Sequence, residues 1–300
     1  MTIVADLAER PNGKAVQGQS LWDDARRRLF ANPAALASMI VLAIILALAL
    51  FGQFLSPWKF AEIDWDRAGE NIGPTLKHAH YFGVDASGRD VFVRTLKGAQ
   101  VSLAVGLVAT LVSLGIGVTY GAVAGFVGGR VDEVMMRFVD ILYSMPYIFF
   151  VIILMVVFGR NIYLIFIAIG AVEWLTMARI VRGQTLSVRQ KDFIEAARAA
   201  GVSGGAIIVR HIVPNVVGPV IVYVTLTIPA IILAESFLSF LGLGVQEPNT
   251  SWGRLISEGA QEMETSPWLL VFPALFMATT LFALNFIGDG LRDALDPKDR

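Results

Sequence analysis

Residues 195–214 read Glu-Ala-Ala-Arg-Ala-Ala-Gly-Val-Ser-Gly-Gly-Ala-Ile-Ile-Val-Arg-His-Ile-Val-Pro. Lys191 to Ala200 is built of helix formers, with Phe193, Ala197 and Ala200 at helical spacing. Gly201 offers a left-handed cap or a sharp bend. Ser203 is placed to cap a second helix, on which Ile207, Ile208 and Ile212 make apolar surface before Pro214 stops it. Long apolar stretches flank this segment on both sides. Two short helices meeting at a glycine would form a knob projecting from a membrane. An amphipathic linker lying on lipid fits the same residues equally well.

The wider composition agrees with a membrane setting. The chain of 300 residues is 55% hydrophobic and 16% charged, against about 25% charged in soluble domains. A net charge of −1 gives no bulk field for nucleic acid. With no cysteine, disulfides, thiolate metal sites and cysteine nucleophiles are excluded. Residues 1–31 are polar and lack the apolar core of a cleavable signal.

A span needs roughly 20 apolar residues. Six are expected: 32–58, 101–129, Asp140–Phe158, Ile162–Met177, Val216–Leu241 and Pro267–Gly288. The fold class is therefore all-α, a polytopic bundle of six transmembrane helices. Its loops fall at 59–98, 127–137, 159–161, 178–214 and 242–266. With both termini on the cytoplasmic side, 16 Lys/Arg lie inside and 8 outside, counted from the sequence. The Arg26-Arg27-Arg28 run before the first span fixes that orientation. Residues 1–31 form a cytoplasmic arm, and 32–300 the transmembrane domain with loop 178–214. Within the arm, residues 1–18 read as disordered. Ser20 followed by Asp23 and Asp24 reads as a helix start, and Leu21, Trp22, Ala25, Leu29 and Phe30 share an interfacial face.

Gly117, Gly121 and Gly125 leave a bare stripe on the second span. It permits close helix approach, either within the bundle or at a gate or subunit contact. Pro146, Pro229 and Pro273 predict kinks in spans three, five and six. Asp140, Glu173 and Glu235 are acids within or near the ends of apolar stretches. The bold reading is a proton relay. The plainer one is interfacial pairing, with Arg137 one turn from Asp140 and Arg179 six residues from Glu173. His78, His80 and His211 are split between sides and make no metal site. No Ser/His/Asp set assembles, and the only Gly-Lys, Gly13-Lys14, is not a phosphate-binding loop.

Glu195-Ala196-Ala197, Gly201 and Pro214 stand at the spacing of the EAA loop of ABC importer permeases, and the chain resembles that family. His211 departs from the usual Ile and Val213 from the usual Leu. Further stretches are similar to the peptide-uptake branch. These are Gly83–Asp90, Ala178–Gly183, Glu235–Gly244 and Gly288–Pro297. Ser20-Leu21-Trp22, Met263–Trp268 and Lys298-Asp299-Arg300 look most like the C subunits of oligopeptide permeases. The resemblance covers about 20–300.

It implies a type I importer permease fold. The partners would be a homologous B-type permease, two ATP-binding subunits, an extracytoplasmic substrate-binding protein and membrane lipid, with no nucleic acid. The chain would bind no cofactor, and ATP and Mg would sit on the partner ATPases. Glu195, Ala196, Ala197, Gly201 and Pro214 would couple to those ATPases. Trp252, Glu247 and Glu258 of loop 242–266 would contact the binding protein.

The resemblance implies an inner-membrane, non-catalytic subunit of an oligopeptide importer. Dipeptide, glutathione or nickel uptake are alternatives within the class. An ion-coupled secondary transporter using Asp140, Glu173 or Glu235 is the alternative outside it, and an intramembrane hydrolase lacks a catalytic set.

Overall fold

The computed structural model describes residues 21–70, 72–159 and 162–295. The readings for 1–18, Ser20 and the last five residues lie outside them, as do the side chains of Leu21 and Trp22. Helix α1 (Leu21–Ala31) packs against α11 (Trp268–Leu295) and the start of α2 (Pro33–Phe51). Asn32 separates α1 from α2. Its side-chain oxygen accepts from the amides of Ala34 and Ala35 at 3.0 and 3.2 Å, and Pro33 takes the first helical position.

The longest helix, α3 (Val91–Val127), starts ten residues earlier than expected, because Asp90 caps it through the Val93 amide at 2.9 Å. It ends at Gly128, whose φ of +69° suits glycine. The expected loop 127–137 is a helix, α4 (Gly129–Ser144). A break at Met145–Pro146 separates it from α5 (Tyr147–Phe158) by an 80° bend. The third expected span is thus not one straight helix. Pro146 cannot donate its amide to the preceding turn and starts a new helix instead.

Helix α6 (Ile162–Val188) continues eleven residues past the expected end at Met177. It lies along α3 in the most extensive contact of the fold. The glycine stripe explains that closeness, as packing within the bundle. A Cβ on Gly117 would fall 2.5 Å from Met177, one on Gly125 2.8 Å from Thr185, and one on Gly121 against the Ala178 carbonyl.

After α7 (Asp192–Ala199), α8 (Gly204–Ile207) runs through one π-helical turn, Ile208–Ile212, into α9 (Val213–Phe240). Pro214 therefore does not stop the helix. The π turn bonds the Val213 amide to the Ile208 carbonyl, and this wider turn accommodates the proline at the second position of α9. Helix α10 (Trp252–Gln261) is short and amphipathic and lies against α3, α9 and α11.

Four described helical stretches are long and apolar enough to cross a membrane: Pro33–Leu55, Val91–Val127, Gly204–Phe240 and Trp268–Leu295. The bent pair α4–α5 makes a fifth if its two arms count as one span. The remaining expected span belongs to α6, which carries Glu173, Arg179 and Arg182. Among the described residues there is no β-ladder, only three isolated bridges between residues 63 and 90.

Candidate functional site

The bundle carries two built ends. At the end of α3 and α6, α7 forms a knob. Ile194 is fully buried in a cluster with Ala122 of α3, Met177 and Val181 of α6, and Ile207, Ile212 and Val216 beyond the bend. Ala197 and Val202 pack on the same cluster. Phe193, which shares helical spacing with Ala197 and Ala200, is exposed, and Ile194 takes the buried place. One residue of helical phase separates the two.

Gly201 closes the knob in a double-bonded helix stop. Its amide donates to the Arg198 carbonyl at 2.9 Å, and the Val202 amide donates to the Ala197 carbonyl at 3.1 Å. Gly201 has φ +77°. This is the Schellman arrangement, with Val202 and Ala197 supplying its usual apolar contact. Ser203 occupies the next cap position without a side-chain capping bond.

Two arginines tie the knob region to α3. The Arg189 guanidinium donates to the Gly125 and Phe126 carbonyls at 3.2 and 3.1 Å, satisfying the end of α3. Arg198 lies 5.0 Å from the Phe126 ring centre. Below them, Arg182 clasps Asp132 of α4 in a bidentate pair at 2.5 and 2.7 Å. Glu195, Ala196 and Ala200 all face outward. The predicted coupling residues thus share one projecting element, except Pro214, which lies in the helix beneath.

The opposite end is made by residues 56–90 and by α10 with its preceding loop. Trp252, expected at the surface, is fully buried. Its indole donates to the Thr95 carbonyl and its amide to the Ser102 hydroxyl, both at 3.1 Å. It is an anchor for α10 and offers no outer contact. Glu247 and Glu258 do reach the surface, at 55% and 38% side-chain exposure, but both are engaged.

Six groups close a ring of alternating charge. Asp85 bonds Arg89 (2.9 Å), which bonds Glu247 (3.0 Å), which meets Arg254 (3.6 Å). Arg254 bonds Glu258 (2.7 Å), which bonds Arg94 (3.1 Å), which returns to Asp85 (3.5 Å). The hydrogen bond and charge of Arg89 hold the Glu247 carboxyl below its ordinary range. The ring joins the segment before α3 to α10. Spacing could not have found it, because its members lie up to 173 positions apart, from Asp85 to Glu258.

Behind the ring, buried His80 bonds Asp90 at 2.8 Å and Asp64 at 3.3 Å and stacks on Trp58. Burial pushes the Asp90 carboxyl up, while its bonds to Val93 and His80 oppose the shift.

The three acids find different surroundings from those expected. Asp140 pairs with Arg179 of α6 at 2.8 Å, not with Arg137, because the α4–α6 contact brings that guanidinium across. Glu173 makes no ion pair or hydrogen bond among the described residues. Glu235 is fully buried without a cation, its one oxygen accepting from the hydroxyls of Ser239 and Ser251, each at 2.7 Å. Arg254, the nearest candidate on α10, is already held by the ring. Among the described residues no group of three or more His, Cys, Asp or Glu is placed to hold a metal ion.

Known proteins match this sequence along nearly its whole length. The profile described as "Binding-protein-dependent transport system inner membrane component" matches residues 117–300, and that described as "N-terminal TM domain of oligopeptide transport permease C" matches 20–74. The chain is 55% identical to the oligopeptide transport system permease protein OppC of Haemophilus influenzae, covering 99% of this chain and 95% of that one. It is 58% identical to OppC of Escherichia coli K12, covering 95% and 94%. It is 44% identical to the dipeptide transport system permease protein DppC of Bacillus subtilis, covering 99% and 90%. Those matches along nearly its whole length place the chain in the family of binding-protein-dependent transport system inner membrane components, the permeases of ABC importers.

Proposed function

We infer that this chain is the C-type permease of an oligopeptide importer, a non-catalytic subunit of the bacterial inner membrane. It forms half of a translocation path with a homologous B-type permease. Two ATP-binding subunits supply the energy, and an extracytoplasmic binding protein delivers the peptide. Both termini and segment 178–214 face the cytoplasm, and 242–266 faces outside. The observation that carries this is the knob. Ile194 and Ala197 key it into α3, α6 and α9, while Glu195 and Ala196 stay free for a partner. In this reading Glu195 makes polar contacts with the ATPase, Ala196 allows close approach, and Ala197, partly buried on the cluster, adds its small exposed edge to that surface. Gly201 sets the aim, and Pro214 lies in the helix the knob drives. At the other end, Glu247 and Glu258 are the outward members of the surface that meets the binding protein. Trp252 sets that surface from beneath. The 55% and 58% identity to OppC of Haemophilus influenzae and Escherichia coli K12, against 44% to DppC of Bacillus subtilis, favours oligopeptides as substrate.

The test is reconstitution of the tagged chain with its co-purifying subunits in vesicles. Uptake should need ATP, the ATPases and the binding protein, and should persist with an uncoupler. Glu195→Lys should abolish most of it by placing the wrong charge at the dock. Uptake by this chain alone, driven by a pH gradient, would overturn the importer reading in favour of an ion-coupled carrier. Sidedness has its own check. A single cysteine in 178–214 should resist an impermeant thiol reagent in intact cells, and one in 242–266 should react.

A further inference from the structure

At the α4–α5 break, a cavity of about 350 Å³ opens against α6. Its walls include Tyr143, Phe150, Leu142 and Leu175, with Thr176 and Glu173 as the polar groups. Among the described residues, Glu173 is the only acidic or basic side chain lining it. The depth of that carboxyl follows from the α3–α6 contact. Gly170 lies against Ala109 and Val112 of α3, and Gly117 lies against Trp174 and Met177. Glu173 therefore sits level with residues 112–117. Residues 98 to 129 carry no charge, and their midpoint falls at the same level. Glu173 is thus near mid-membrane, not at the end of its helix, because α6 continues to Val188.

An acid at that depth normally faces a cavity and a partner. The nearest guanidinium on the same helix is not that partner. Arg179 is engaged by Asp140 at 2.8 Å and lies 4.2 Å from the Tyr143 ring centre. What remains is a carboxylate without an ion pair among the described residues, in a cavity of ligand size whose walls include the Tyr143 and Phe150 side chains. That combination takes an organic cation, through the Glu173 charge and the apolar and aromatic wall that includes Phe150.

We propose that this cavity is a transit site for the ammonium group of the peptide, at its amino terminus or on a lysine, with Glu173 as the counter-charge. The identity of the ligand rests on the importer reading; the site itself rests on the cavity.

The probe is 4-fluorophenethylammonium, followed by fluorine NMR line broadening on the assembled complex in lipid nanodiscs. Its neutral isostere 2-(4-fluorophenyl)ethanol is the comparison. The ammonium should bind at least tenfold more tightly than the alcohol. Glu173→Gln should erase that difference, and Glu173→Asp should keep most of it. In vesicles, Glu173→Gln should lower kcat/KM for a free-amino peptide at least fivefold, while the binding protein, a separate chain, keeps its peptide affinity. Equal binding of ammonium and alcohol, or Glu173→Gln within twofold of the parent, overturns the site. So does loss of the partner permease from the purified Glu173→Gln complex, which would make Glu173 an inter-subunit ion pair. ATP-driven uptake without ammonium selectivity refutes this site alone. Probe binding without ATP-dependent uptake refutes the importer reading alone.

Discussion

Gly201 gives the sharpest test of the coupling reading, because its replacement separates conformation from sterics. A Cβ built there meets no heavy atom within 4 Å, so added bulk meets no clash within this chain. The cost lies in the backbone. At φ +77° an alanine is disfavoured by about 1 kcal/mol or more relative to glycine. That is roughly a fivefold shift between this bend and its competitors. Asparagine tolerates the left-handed region better and should lose less. Proline cannot reach positive φ at all. It also removes the amide that bonds Arg198 and unseats the Val202–Ala197 bond that follows, for a local cost of about 3 kcal/mol or more.

The expected order of uptake in reconstituted vesicles is therefore Gly, Asn, Ala, Val, Pro, with proline near background. The spans do not depend on this bend, so all five should reach the membrane in similar amounts. Thermal unfolding of the bundle should also hold for Asn and Ala. ATP hydrolysis by the assembled complex should lose its dependence on the binding protein along the same series. Normal uptake by the proline variant would refute the idea that the aim of α7 carries the coupling.

Gly121→Ala should lower the unfolding temperature in detergent by opening α3 from α6, at a cost of about 1–3 kcal/mol. Gly115→Ala, on the same helix with nothing within 4 Å, should not. The charge ring should loosen in acid. Glu247 is held below its ordinary value of 4.5, so its contribution is complete above that pH and is lost as pH falls through the lower folded value. Hydrogen exchange in α10 should rise over that window, and Arg89→Ala should give fast exchange already at neutral pH. Glu235→Gln keeps a carbonyl oxygen for both serine hydroxyls and should retain ATP-driven uptake. Glu235→Leu should release α10, read as faster exchange there.

Much of the fold was legible because apolar length and glycine spacing are local signals. The first, second and sixth spans follow from apolar runs without a charge, the fifth from one interrupted by Glu235, and the Gly117–Gly125 stripe foretold a close helix contact. The boundaries were not legible where polar residues are helical. Lys97 and Arg94 lie inside α3, and Arg179 and Arg182 inside α6. The three guanidinium groups are tolerated because each finds a carboxylate on another element, which no local window contains, and Lys97 bonds Gln100 on its own helix.

The same blindness explains the misassigned acids. Asp140 has Arg137 one turn away in sequence, yet its partner comes from α6. Trp252 looked like a surface aromatic because its neighbours are polar. Its burial depends on Thr95 and Ser102, some 150 positions earlier. At the knob the Glu-Ala-Ala, Gly and Pro spacing marked the segment in which the bend at Gly201 lies. What it hid was the phase of α7, with Ile194 rather than Phe193 inward, and the continuation of the helix through Pro214.

Where a displacement of the knob can travel follows from which contacts have slack. The α3–α6 face has little. Along the glycine stripe, backbone meets backbone, and Arg189 and Arg182 lock its end. The stretch from Gly204 to Phe240 is different. It spans 37 residues, about 55 Å at helical rise, and joins the knob cluster to the buried Glu235. Three interruptions punctuate it: the π turn at Ile208–Ile212, Pro219 and Pro229. Each lacks a regular backbone bond and is a place where a helix can bend without breaking others. The second element with slack is the α4–α5 break, which walls the Glu173 cavity. On the importer reading, a push on α7 therefore leaves the α3–α6 pair as a fixed frame and bends α9 against it. The far end of α9 is tied through Ser251 to the cap of α10, beneath the charge ring. The outer platform and the ATPase dock are thus joined by one interrupted helix, and the cavity lies beside the pair that stays fixed.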